Sequence, residues 1–84
     1  MTLQQIKEQL RNGKYAWPGG YPLYFVTIDG AALSFEAVRQ EWHRVVYSYM
    51  HNLHDGWQIA GVDINYEDCW LLCDHTNKPI ECAY

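Results

Sequence analysis

The sequence predicts one small α+β domain spanning residues 1–84, in which a small antiparallel sheet packs against one main helix (about 34–54) and a short N-terminal helix. Three observations predict it. Apolar residues recur at spacings of three and four through 35–53, the period of an amphipathic helix. Residues 21–28 are rich in aromatic and β-branched side chains, and Asp29-Gly30 follows them as a hairpin signal. The length of 84 residues supports one hydrophobic core and not two.

The elements follow in order. Thr2 is a candidate N-cap, Leu3, Ile6 and Leu10 form one stripe, and Gly13 can end the helix. Trp17-Pro18-Gly19-Gly20 reads as a turn. In the strand that follows, Pro22 belongs at the start or on an edge, because it cannot donate to a ladder. Ala31, Ala32 and Leu33 form a short return strand. Ser34 caps the main helix, with Glu36 in its first turn where the dipole favours a carboxylate. Phe35, Val38, Trp42, Val45, Val46, Tyr49 and Leu53 make its apolar face. Arg39, Gln40, His43, Arg44, Tyr47, Met50 and His51 make the other, and Asp55-Gly56 ends it.

Residues 57–65 form a second strand. Strict alternation would set Trp57, Ile59, Gly61, Asp63 and Asn65 on one face and Gln58, Ala60, Val62 and Ile64 on the other. That division mixes polar and apolar residues on both sides, so both faces are expected to be partly covered. An acidic turn at Tyr66-Glu67-Asp68, a short strand at 71–73 and a tight turn at 74–78 follow, with 79–84 pairing back.

Composition narrows the class. Apolar residues make up 49% and charged residues 19%, a globular balance. No run approaches the ~20 apolar residues of a membrane helix. The first residues lack a basic stretch followed by an apolar one, so no secretory signal and a cytoplasmic location are expected. The three cysteines, Cys69, Cys73 and Cys82, are an odd number, which argues against a disulfide framework. They are expected to be small core residues.

Charge is unevenly placed. Net charge is −4, yet residues 1–54 carry +1 and residues 55–84 carry −5. The acidic third opposes direct nucleic-acid binding, which needs clustered Lys and Arg. It suits a basic protein surface as partner, or else serves only as a solvated face.

Several constellations deserve testing for chemistry. Cys69, Cys73, His75 and Cys82 crowd the C-terminal segment, with His51 or His54 as further candidates, but the spacings are not those of usual zinc knuckles. No nucleophile elbow surrounds a cysteine and no phosphate loop is present, so an enzyme is not expected. Glu67 and Asp68 are adjacent, and adjacent strand residues point apart. Trp42, Trp57, Tyr24 and Phe25 are expected in the core, which leaves Tyr15, Trp17, Tyr21, Tyr47, Tyr66, Trp70 and Tyr84 over. Trp and Tyr are favoured at binding hot spots, although small domains also use aromatics simply to build enough core.

The segment from Trp70 through Cys73-Asp74-His75-Thr76 to Tyr84, together with 20–30 and 56–68, resembles small phage and prophage proteins of unassigned function. In those proteins the last segment often reads as a Cys-Asp-His-Cys knuckle, and another C-x2-C follows the first Asp-Gly. The resemblance implies a degenerate zinc-ribbon-like fold. Ser34 and Ala37 stand at the first knuckle and Thr76 at the last position of the second, so only Cys73 remains. The expectation is therefore no metal and no cofactor.

The function expected is that of a non-enzymatic phage or mobile-element protein that inhibits a host defence complex, for example an anti-CRISPR protein. Its partner would be a host protein with a basic surface, such as a CRISPR effector subunit. Asp63, Tyr66, Glu67, Asp68, Trp70, Asp74 and Glu81 are the expected contact residues. The alternative is a zinc-ribbon-derived nucleic-acid-binding or regulatory adaptor using Arg39, His43 and Arg44. A third reading is a small enzyme or metal protein built on Cys69, Cys73 and His75. Unburied Trp and Tyr leave a homodimer open.

Overall fold

The computed structural model describes residues 1–16, 19–53 and 55–83. The turn at Trp17-Pro18, the surplus aromatics Trp17 and Tyr84, and His54 as a ligand candidate lie outside the described residues. The chain is α+β. Helix α1 runs Leu3–Asn12, strands β1 Tyr15–Ala16, β2 Tyr21–Thr27 and β3 Ala32–Leu33 follow, then helices α2 Phe35–Gln40 and α3 Trp42–Met50, and strand β4 Ile59–Ile64.

Local chemistry sets the helix ends. The Thr2 hydroxyl accepts the Gln5 N–H while the Gln5 side chain accepts the Thr2 N–H, a reciprocal cap. Gly13 closes α1 at φ 95°, a conformation that favours glycine. Ser34 Oγ accepts the Ala37 N–H at 3.1 Å and starts α2. The helical segment expected as one piece is broken at Glu41, whose φ/ψ of −109°/33° leaves the helical region. The exposed face is nevertheless as the periodicity predicted: Arg39, Gln40, His43, Arg44, Tyr47, Met50 and His51 are all exposed.

Strand β2 is central and every pairing is antiparallel. Strand β4 lies along one edge, β3 along the other, and β1 pairs the first two residues of β2, so Pro22 is at the start as expected. A register shift separates Val26–Gly61 from Thr27–Ile59 and leaves Ala60 extra. This bulge resets the alternation. Ile59 and Val62, three apart, both turn to the core opposite Thr27 and Phe25. Strict alternation placed Ile59 and Asp63 on one face; the bulge separates them.

Every layer contributes to the core. Ile6 of α1, Phe25 of β2, Leu33 of β3, Phe35 and Val38 of α2, Val45 of α3 and Ile59 of β4 are all at most 1% exposed. The Phe25 and Phe35 rings stack with centroids 4.4 Å apart. The Tyr49 hydroxyl lies against the carbonyls of Met1 and Ile59, tying α3 to the N-terminus and β4. Trp57 is buried as expected, whereas Trp42 and Tyr24 pack only partly against the core. After β4 the chain forms a small hairpin: Leu72 bridges Pro79, Ile80 donates to Leu71 O and Cys73 to Lys78 O.

The cysteine expectation needs correction. Cys69 and Cys82 form a disulfide with Cα atoms 5.2 Å apart, and only Cys73 is the buried free thiol foreseen. An odd count does not prevent two of three cysteines from pairing. Their proximity is made by the hairpin, which returns residue 82 to residue 69.

Candidate functional site

The turn that carries most of the expected contact residues is organised by Asn65. Its side chain is 3% exposed, and its Nδ2 donates to the carbonyls of Asp68 (2.9 Å), Glu81 (3.1 Å) and Ile80 (3.3 Å). Its Oδ1 accepts the Asp68 N–H at 3.1 Å. Its backbone joins Pro22 and Ala83. One buried amide thus fastens the turn at 66–70 to the last strand-like segment, and the Cys69–Cys82 disulfide adds a covalent tie.

The seven predicted contact residues are all exposed. Asp63, Tyr66, Glu67, Asp68 and Trp70 lie on β4 and the turn just after it. The Glu81 backbone is tied to this turn through Asn65, while the Glu81 carboxylate faces Tyr15 and Lys14. Asp74 is not part of it: its N–H donates to Ala32 O, which places it beside β3. Within the group, Tyr66 meets Tyr21 edge to face at 5.3 Å. The Asp68 carboxylate accepts the Trp70 N–H at 3.2 Å. Trp70 is 91% exposed, more than any other large apolar residue described.

Two phenols report the field of this surface. Burial pushes the Tyr24 hydroxyl above the ordinary tyrosine range, and the carboxylates of Asp63 and Asp68 add to the shift. Both carboxylates therefore act on one hydroxyl. A hydrogen bond to Glu81 raises Tyr15. Glu81 also acts on Lys14, which pairs with Glu36 at 3.0 Å, so this carboxylate is partly answered within the chain.

Around Cys73 the structure gathers the four positions Ser34, Ala37, Cys73 and Thr76. The Ser34 N–H donates to Cys73 Sγ at 3.3 Å, Ala37 N–H donates to Ser34 Oγ, and Thr76 bonds the same sulfur. One sulfur, two hydroxyls and a methyl do not fit a structural zinc ion, which takes Cys and His ligands. Burial acts to raise the Cys73 thiol, but the donors from Ser34 and Thr76 outweigh it and hold the thiol below its ordinary value. The set Cys69, Cys73 and His75 does not assemble, because Cys69 is bonded to Cys82. His75 instead lies 3.5 Å from Glu41 and edge-on to Trp57 at 5.0 Å. Among the described residues, no group of three or more His, Cys, Asp or Glu is placed to share a metal.

The basic face named for the alternative reading is partly consumed. The Arg39 guanidinium donates to Leu10 O, fastening α2 to α1. Arg44 Nε is 3.1 Å from the Glu41 carboxylate. Sequence reasoning missed Asn65 and the disulfide as organisers of the acidic surface. A polar residue closing a strand carries no signal that its amide will be buried. No helix among the described residues is long and apolar enough to cross a membrane.

In comparisons with known proteins, no family model matches the chain, and no curated protein or solved structure is significantly similar to it.

Proposed function

We propose that this chain is a non-enzymatic interaction protein that occupies a basic surface of a host protein through its acidic, aromatic turn. The concrete form is a phage or mobile-element inhibitor of a host defence complex, for example an anti-CRISPR protein acting in the cytoplasm. The observation that carries the reading is Trp70, 91% exposed with the Asp68 carboxylate on its backbone N–H. Leaving an indole in water forgoes a large burial term, and Trp is favoured where a partner restores it. Asp63, Glu67 and Asp68 are exposed carboxylates on the same stretch of chain, suited to Lys and Arg. Held by the buried Asn65 amide, the turn loses little freedom on docking. Tagged chain expressed in a bacterial host should co-purify with a basic protein, and Glu67→Lys with Asp68→Lys should abolish that recovery. Recovery unchanged by the double reversal would sink the electrostatic reading.

The second reading, a regulatory or nucleic-acid adaptor descended from a zinc ribbon, is favoured by one observation: Ser34 and Thr76 both bond Cys73 Sγ. A gel-shift assay with single- and double-stranded DNA and RNA tests it. The engagement of Arg39 within the chain weighs against a phosphate-binding face.

A further inference from the structure

A second surface lies on the exposed side of α3. His43, Arg44, Tyr47, Asp55 and Trp57 line an open groove of about 670 Å³. Its floor is the Trp57 ring, with the Arg44 guanidinium 6.0 Å from the ring centroid. Its wall is Tyr47, 57% exposed and packed on His51 at 4.2 Å. The groove's one carboxylate, Asp55, accepts the Ser48 hydroxyl at 3.0 Å and the Trp57 N–H at 3.2 Å through a single oxygen. The Arg44 cation is not fully used. Its Nε faces Glu41, and neither terminal nitrogen has a hydrogen-bond partner among the described residues. An arginine carries five N–H donors. The groove therefore offers aromatic walls and an arginine with spare donors.

The chemistry that fits is an aromatic side chain flanked by a carboxylate. The chain itself displays that pair at Asp68 and Trp70. We propose that the Trp70 turn of one copy enters the α3 groove of a second copy, its indole between Trp57 and Tyr47 and its Asp68 carboxylate on the Arg44 terminal nitrogens. The contact is heterologous: two different surfaces meet, so a pair keeps one free groove on the first copy and one free turn on the second. Self-association would then cover the turn that the proposed host partner needs. The inference concerns the same turn as that reading but does not depend on it, since purified chain alone tests it.

The experiment is sedimentation velocity from about 10 μM to about 1 mM. Wild-type chain should grow beyond monomer with concentration. Trp70→Ala should weaken association about tenfold or more, as a lost hot spot does. Arg44→Gln should weaken it in the same direction. Neither side chain is in the core, and thermal melts of both variants check folding. The decisive arm mixes the two variants. Trp70→Ala keeps an intact groove and Arg44→Gln keeps an intact turn, so the mixture should form a one-to-one dimer and grow no further. A wild type that stays monomeric at the highest concentration overturns the proposal. So does association unaffected by Trp70→Ala, or a mixture that remains monomeric.

Discussion

The backbone N–H of Ser34 points at the buried sulfur of Cys73 from 3.3 Å, across 39 residues of sequence. The contact joins the start of α2 to the C-terminal hairpin, and Thr76 completes it from the hairpin side. Replacing Ser34, Ala37 and Thr76 together by Cys would supply the three sulfurs that this arrangement lacks. The triple variant is expected to bind one zinc ion per chain, measured by elemental analysis, and to gain thermal stability that a chelator removes.

The same contact makes stability pH-dependent. The folded Cys73 thiol titrates below its ordinary value of 9.0, so between the two the unfolded chain binds more protons. Stability should therefore rise with pH through that interval, be complete above 9.0, and be lost as pH falls through the folded value. Denaturant titrations across the alkaline range should show this slope in wild type and a flatter one in Cys73→Ala.

The disulfide should matter more than one surface link suggests. It spans 13 residues, and loops of about that length stabilise by about 3 kcal/mol through the unfolded chain. Reduction, or Cys69→Ser with Cys82→Ser, is expected to lower unfolding free energy by roughly that amount. Amide exchange should rise most in residues 66–72 and 80–83, which the bond holds together.

Asn65→Leu should be costly although Asn65 touches no core hydrocarbon cluster. It removes the donor for the carbonyls of Asp68, Ile80 and Glu81. Buried polar groups left unpaired cost about 1–3 kcal/mol each, and relaxation of the turn will recover part of it. A drop of about 2–3 kcal/mol by chemical denaturation is the expected result.

Trp70→Ala gives the opposite outcome for stability. With 91% of the residue in solvent, its loss should change unfolding free energy by less than about 0.5 kcal/mol. A larger destabilisation would mean that Trp70 supports the fold and would weaken its assignment to binding.

Much of the local structure was written in the sequence. Thr2, Gly13 and Ser34 are capping residues, and they cap. Spacings of three and four marked the exposed face of the helical segment, and Asp29-Gly30 marked the hairpin. These are short-range signals, decided within a turn or two of the backbone. The break at Glu41 and the bulge at Ala60 were not legible, because no capping or turn residue marks either position in the sequence. The bulge brings Ile59 and Val62 to the same core, which strict alternation forbids.

For the candidate site, the sequence by itself determined the charge asymmetry and the surplus of aromatics, since both are matters of composition. Only the tertiary structure decided how those residues are placed. It tied the Glu81 backbone to the Asn65 turn, set the Glu81 carboxylate against Tyr15 and Lys14, and placed Asp74 beside β3. It also paired two of the three cysteines and left Cys73 among donors. The physical reason is that a hydrogen bond or disulfide between distant residues depends on how the hairpin returns over β4, and no local pattern encodes that path.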